Sequence, residues 1–201
     1  MPSRELPTTP SRPEGDADEL ESGSDLEFLV HLVGDVHQPL HSATDKDRGG
    51  NCLFITFVTV DGDVSSRTKF HSAWDNSILI DRLGTNDRLI ARQLAQDWKQ
   101  QIPSRLATAT SQLAADAKGT VRAWIEEAHT AAVTQLYGTL LPAVPKFESA
   151  TVSSDCHDAA PVFKGATWKL RKVPTGNAFK LIEEQLVSAG VRLAALLNAA
   201  A

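Results

Sequence analysis

The chain has 201 residues and a formal net charge of −5 at pH 7, with 22% charged and 42% hydrophobic residues. This length suits one domain with a sizeable core and is too short for two. The composition is ordinary for a soluble globular protein, and the negative charge argues against a broad basic surface that binds nucleic acid.

Residues 1–25 hold four prolines, many charges and almost no apolar periodicity, which predicts a disordered N-terminal tail before a domain that spans residues 26–201. No apolar run approaches the roughly 20 residues needed to cross a bilayer, so no membrane association is expected. No apolar segment follows Met1 either, and a secretory signal peptide is therefore not expected in this chain.

Residues 28–41 read FLVHLVGDVHQPLH. The apolar spacing predicts a helix that begins near Leu26 and ends by Gln38, because Pro39 biases the residue before it away from helical geometry. One face of this helix is expected to be apolar, with Phe28, Leu29, Leu32, Val33 and Val36.

Two potential metal ligands lie at the edge of that face. His31 and Asp35 are four residues apart, which places their side chains about 40° from each other around a helix axis. His41 follows just after the helix and offers a third ligand. His37 lies roughly 160° from Asp35 on the same wheel. We interpret it as a favourable imidazole in the last helical turn and not as a ligand.

A polar loop that ends in Gly49-Gly50-Asn51 separates this helix from a predicted β-hairpin. Residues 53–60 are rich in β-branched side chains, and Asp61-Gly62 is a typical turn signal. We therefore expect a short hairpin between the first helix and the next one.

The second helix carries another His–Asp pair, since residues 70–75 read FHSAWD. His71 and Asp75 lie among Phe70, Trp74 and Ile78, so both are expected to face inward. A buried carboxylate costs several kcal/mol unless a cation or hydrogen bonds compensate it. One such pair favours a structural hydrogen bond, but two pairs and an additional His favour a metal site.

The rest of the chain has helical periodicity, with one pattern that stops at Pro103, one that stops at Gly138 and one over about Asn177 to Asn198. Residues 142–176 are expected to be irregular. The predicted class is a mostly α, single-domain helical bundle with a small hairpin. His129 is expected to be a packed or solvated helix residue. Cys52 and Cys156 could form one disulfide or remain two buried thiols.

The ordered combination of FLVHLVGDVHQPLH, Gly49-Gly50-Asn51 and FHSAWD resembles the core of the zinc-dependent single-strand nucleases, which are distantly similar to zinc phospholipase C. The dense match covers residues 27–78. The resemblance implies hydrolysis of single-stranded DNA or RNA to 5′-nucleotides, together with 3′-nucleotidase activity. It also implies a secreted or periplasmic location. The negative net charge is compatible with this function where bound zinc ions hold the phosphate.

Members of that family hold three zinc ions in one cleft. By motif match, Asp35 bridges two close ions and His31 binds one of that pair, while His41, His71 and Asp75 bind the separate ion. Zinc lowers the pKa of bound water towards roughly 7 and neutralises phosphate charge. Asn76 matches a polar position on the phosphate side, and a simple exposed helix residue is an equally good interpretation.

The resemblance has one departure. The family contributes further zinc ligands from an N-terminal Trp and from nearby His and Asp residues, and residues 1–25 contain no His or Trp. The close pair is therefore expected to keep only His31 and Asp35. Three alternatives follow: an active nuclease, a zinc-binding remnant with little catalysis and, less favoured, a phospholipase C-like hydrolase. Base preference, DNA against RNA and oligomeric state stay open.

Overall fold

The computed structural model describes residues 24–44, 47–140, 156, 167–170 and 172–200. Most of the predicted tail therefore lies outside the described residues. The helices are α1 (Ser24–Val36), α2 (Phe70–Ser72), α3 (Ile78–Leu83), α4 (Asp87–Asp97), α5 (Ile102–Ala115), α6 (Ala117–Ala131) and α7 (Lys172–Ala200). The strands are β1 (Phe54–Phe57), β2 (Thr68–Lys69) and β3 (Thr167–Leu170). The predicted mostly α class is confirmed.

Two π-helical segments interrupt the helices. Ala73–Ser77 joins α2 to α3 without a break, and Ala132–Leu140 continues α6. A π turn inserts extra backbone into a helix and frequently occurs at functional sites. The first of these segments carries Asp75.

The predicted hairpin is present, although its strands are shorter than the apolar run suggested. Strands β1 and β2 pair antiparallel, and the amide of Gly62 closes the turn by donating to the Thr59 carbonyl at 3.0 Å. The prediction of an irregular stretch over residues 142–176 is wrong at its end, where β3 pairs parallel with β1. The reason is that β3 has only four residues and gains its pairing from a distant part of the chain. Helix α7 also begins at Lys172, earlier than expected.

Pro103 begins a helix instead of ending one, which corrects the prediction. Helix α4 stops at Asp97, and Pro103 lies in the first turn of α5. Proline is well suited to that position because the first turn leaves its backbone nitrogens without helical partners.

The hydrophobic core has two parts, and α7 contributes to both. The first lies between the sheet, α2 and the second π segment, and its members include the fully buried Leu53, Phe70 and Leu136. The second surrounds the buried Trp124 of α6 and includes residues of α4, α5 and α7. None of the described helices combines the length and apolarity needed to cross a bilayer.

The apolar face of α1 is only partly buried. Val33 is buried, but Phe28 is 63% exposed and Leu32 is 43% exposed. Helix α1 contacts α6 and α7, and these contacts leave Phe28 and Leu32 exposed. Periodicity identifies residues that share a face, but it does not show how much of that face a neighbouring element covers.

Cys52 and Cys156 form a disulfide, with Cα atoms 5.4 Å apart. The sequence left this pairing open. The bond fixes residue 156 to the loop just before β1, and Cys52 itself is buried in the first core.

Candidate metal centre

The turn that follows α1 places His41 beside α2. Gln38 caps a short 3₁₀ turn, Pro39–His41, by accepting a hydrogen bond from the Leu40 amide at 2.6 Å. Pro39 suits the start of this turn because its fixed φ matches helical geometry. Leu40 is buried in the first core and thereby anchors the turn.

A close backbone approach orients His71. Its Nδ1 lies 2.7 Å from the Gly49 carbonyl oxygen, so Nδ1 carries the proton that it donates, and Nε2 keeps its lone pair. Gly49 has a φ of 61°, and a Cβ atom there would lie 2.4 Å from the Leu40 carbonyl oxygen. Glycine is therefore required at this position for the loop to reach His71.

His41, His71 and Asp75 converge on one point. Each offers a ligand atom within 4.8 Å of the other two. His41 Nε2 lies 3.8 Å from Asp75 Oδ1, and His71 Nε2 lies 3.5 Å from Asp75 Oδ2. Zinc–nitrogen bonds of about 2.0–2.1 Å in a tetrahedral site require ligand atoms about 3.4 Å apart. The two separations from Asp75 are close to this value, and the proton on His71 Nδ1 leaves Nε2 free to bind a metal.

Asp35 extends this group towards α1. One carboxylate oxygen lies 3.2 Å from His31 Nε2, and the other lies 3.4 Å from His41 Nδ1. The five predicted ligands thus form one continuous line of alternating side chains, which we name the His–Asp row: His31, Asp35, His41, Asp75 and His71. That these residues bind zinc stays a prediction.

The expectation that His71 and Asp75 both face inward holds for His71, which is mostly buried, but is wrong for Asp75. The Asp75 side chain is 39% exposed and the His71 side chain is 18% exposed. Their neighbours Phe70, Trp74 and Ile78 fill the core, and the two ligands lie on the flank of the same helical segment. Because Asp75 is partly exposed, its charge does not require a buried cation. The main support for a metal site is therefore the convergence of the three ligands.

His37 lies just after α1, against Arg192 of α7, and also borders the cavity described below. Its Nδ1 donates to the Val33 carbonyl at 2.6 Å, and its Nε2 accepts from an Arg192 guanidinium nitrogen at 2.9 Å. Burial lowers the pKa of His37, and the positive charge of Arg192 lowers it further. His37 is therefore a neutral, buried residue whose ring is held by Val33 and Arg192, and its interaction with the helix end is not its main contact.

Arg192 is a residue that the sequence analysis missed. It forms an ion pair with Glu127, and its guanidinium carbon lies 5.1 Å from the centre of the Trp124 ring. No local pattern could have identified it, because His37 and Arg192 are 155 residues apart. His129 is an exposed residue of α6, one of the two expected alternatives, and its Nδ1 lies 2.9 Å from the Ser42 carbonyl oxygen.

Asn76 is exposed next to Asp75. Its side-chain oxygen accepts a hydrogen bond from the Ser77 hydroxyl at 3.1 Å. A role in binding phosphate stays a prediction.

An open cavity of about 410 Å³ adjoins the His–Asp row, a suitable size for a small ligand. Its polar side is formed by Asp35, His41 and Asp75. Its apolar wall is formed by Trp74, Leu79 and Ile182. None of the described residues that line it is Lys or Arg.

A helical fold with a row of three imidazoles and two carboxylates beside an open cavity defines a candidate metal centre. The family model for S1/P1 nuclease matches residues 12–201, so the chain belongs to the S1/P1 nuclease family. The resemblance inferred from the motifs is thereby confirmed.

Curated relatives include plant and fungal nucleases. Endonuclease 4 of Arabidopsis thaliana is 27% identical over 178 residues, which cover 86% of this chain and 49% of that protein. Endonuclease 5 of the same plant is 33% identical over 87 residues, or 39% of this chain and 27% of that protein. Nuclease S1 of Aspergillus oryzae is 32% identical over 77 residues, or 38% of this chain and 24% of that protein. The chain thus spans about half the length of Endonuclease 4 and less of the others.

Proposed function

We propose that this chain is a zinc-dependent phosphodiesterase that cleaves single-stranded DNA or RNA to 5′-nucleotides and also removes 3′-phosphates. The observation that carries the proposal is the convergence of His41, His71 and Asp75 in a chain of the S1/P1 nuclease family. The names of the relatives, which are endonucleases and a nuclease, support the same reaction.

Each side chain of the row would have a separate role. His41 and His71 would hold one ion through imidazole nitrogens and Asp75 through a carboxylate oxygen, which leaves a coordination position open for substrate. Asp35 and His31 would hold a second ion position at the other end of the row. Zinc bound there would act as a Lewis acid on the phosphate and lower the pKa of a bound water. Asn76 would contact the phosphate from the adjacent helical position.

A second candidate is a zinc-binding protein with little or no catalysis. The observation in its favour is that the two ends of the His–Asp row offer different numbers of potential ligands. Three residues converge on one point at one end, whereas Asp35 has only His31 and His41 as potential co-ligands among the described residues. A single bound ion would fit this arrangement.

The experiment that tests both candidates is zinc-dependent cleavage of single-stranded DNA and RNA by residues 1–201, compared with metal-stripped protein. We expect products with 5′-phosphate ends, lost in Asp75→Asn and kept in the matched control Asp63→Asn, which changes an exposed hairpin carboxylate. Elemental analysis of the same samples gives the number of zinc ions per chain. One ion without turnover would contradict the nuclease proposal and support the second candidate.

We also propose that the protein works in an oxidising compartment, as a secreted or periplasmic protein. The disulfide between Cys52 and Cys156 supports this, because such bonds persist in oxidising surroundings and are rare in the reducing cytosol. Fractionation of the source cells, with thiol labelling under non-reducing conditions, tests it. Recovery of two free thiols from the native protein would contradict the proposal.

A further inference from the structure

The side chain of Gln38 is engaged at both ends. Its oxygen accepts from the Leu40 amide at 2.6 Å, and its nitrogen donates to Asp75 Oδ1 at 2.9 Å. Because the Leu40 amide can only donate, the amide oxygen of Gln38 must face it. The NH₂ group is therefore directed towards Asp75 by the same geometry that caps the 3₁₀ turn.

This contact constrains a carboxylate that is otherwise partly free in solvent. Asp75 lies on a π-helical segment with 39% of its side chain exposed. Gln38 holds Oδ1, which also lies 3.8 Å from His41 Nε2, and Oδ2 is the oxygen that faces His71 Nε2. A neutral amide donor occupies one oxygen and leaves the second oxygen open to a cation.

We propose that Gln38 is a positioning residue that orients Asp75 as a one-oxygen ligand in the candidate metal centre. This inference rests on the proposed function. It assigns a role at the metal centre to Gln38, which is not itself a ligand. His71 is held in a comparable way by the Gly49 carbonyl, so two of the three converging ligands each have a hydrogen-bond partner that fixes their orientation. Loss of such a partner typically lowers metal affinity 10- to 100-fold.

The capping role and the positioning role of Gln38 can be separated by one substitution. Asparagine is a favourable cap residue whose shorter side chain can still accept from the second amide of the turn. It lacks one methylene group, and its NH₂ group cannot reach Asp75. Gln38→Asn therefore keeps the cap and removes the contact with the carboxylate.

The test is zinc titration against a chromogenic chelator for the parent chain, Gln38→Asn and the matched control Gln93→Asn. Gln93 is exposed on α4 and also donates to an aspartate, Asp97, at 2.9 Å. We expect Gln38→Asn to weaken zinc binding 10- to 100-fold, with unchanged zinc content at saturation and an unchanged melting temperature without metal. Gln93→Asn should bind zinc like the parent.

Parent-like zinc affinity in Gln38→Asn would overturn the inference and leave Gln38 as a cap only. So would a further loss when Gln38→Asn is combined with Asp75→Asn, because no effect should remain once the carboxylate is gone. A parent chain that binds zinc but cleaves nothing would contradict the nuclease proposal without affecting this comparison. A parent chain that binds no zinc would overturn both.

Discussion

The imidazole rings of His41 and His71 lie face to face, with centroids 5.0 Å apart and planes 22° from parallel. They come from different elements, the 3₁₀ turn after α1 and the short helix α2. Stacked imidazoles this close repel when both are protonated but can share a cation when both are neutral. Zinc and protons are therefore expected to compete for this pair.

His71→Ala should remove one of three converging ligands and weaken zinc binding by about 3–5 kcal/mol, given that a whole structural site contributes roughly 10–16 kcal/mol. Zinc should raise the melting temperature of the parent chain and not that of the variant. Thermal unfolding with and without zinc measures this. His129→Ala is the control, since His129 bonds to Ser42 outside the row. Equal zinc-induced stabilisation in the parent and His71→Ala would contradict the site.

Asp35→Ala should lower zinc content, whereas His37→Ala should lower stability, although the two residues are close in sequence. Asp35 lies within 3.4 Å of two imidazoles of the row, and its loss should lower zinc content. Loss of His37 leaves an Arg192 nitrogen without its acceptor, which should cost about 1–3 kcal/mol of stability with zinc content unchanged. Elemental analysis and urea unfolding measure the two quantities. Equal zinc loss from both variants would show that His37 also contributes to the site.

Much of the candidate site was predictable because its geometry is local. The four-residue spacing of His31 and Asp35 produces a contact of 3.2 Å, as expected for one helix face. The hairpin was predictable for the same reason, since a turn signal and a β-branched run are adjacent in the chain.

The parts that the sequence did not reveal depend on contacts between distant segments. Gln38 and Asp75 are 37 residues apart, and neither has a pattern that marks it as the partner of the other. Strand β3 is too short to be recognised without β1 beside it. The exposure of Phe28 depends on which elements cover α1, and periodicity carries no information about that.

Gly49→Ala should destabilise the fold more than Gly62→Ala does. Both glycines have a positive φ, so each substitution should cost about 1–2 kcal/mol in backbone strain. A Cβ atom at Gly49 also collides with the Leu40 carbonyl, whereas no atom lies within 4 Å of the corresponding position at Gly62. Urea unfolding should therefore show a larger loss at Gly49. Zinc affinity should fall there too, as the Gly49 carbonyl moves away from His71. Similar losses in both variants would contradict the close approach.

Removal of the disulfide by Cys156→Ser should lower the free energy of unfolding by about 2–5 kcal/mol. The cysteines are 104 residues apart, so the bond strongly restricts the unfolded chain. Urea unfolding under non-reducing conditions measures the difference, and parent protein in reductant should resemble the variant. If the parent and the variant unfold at the same urea concentration, the bond does not contribute to stability.

Glu183→Gln should stabilise the protein at neutral pH and have a progressively smaller effect in acid. Glu183 is half-buried on α7, and burial raises its pKa above the ordinary value of 4.5, with the negative charges of Asp97 and Glu184 acting in the same direction. A raised pKa means that the folded state binds the proton more tightly than the unfolded chain does. The ionised carboxylate therefore destabilises the fold above its folded pKa, and this cost disappears below 4.5, where both states are protonated.

The effect is measured by the melting temperatures of the parent and Glu183→Gln between about pH 3.5 and pH 7.5, which spans roughly the titration of Glu. Glu126→Gln is the matched control, because Glu126 is exposed on α6. A gain in Glu183→Gln that does not change with pH would show that the side chain acts through packing and not through its charge.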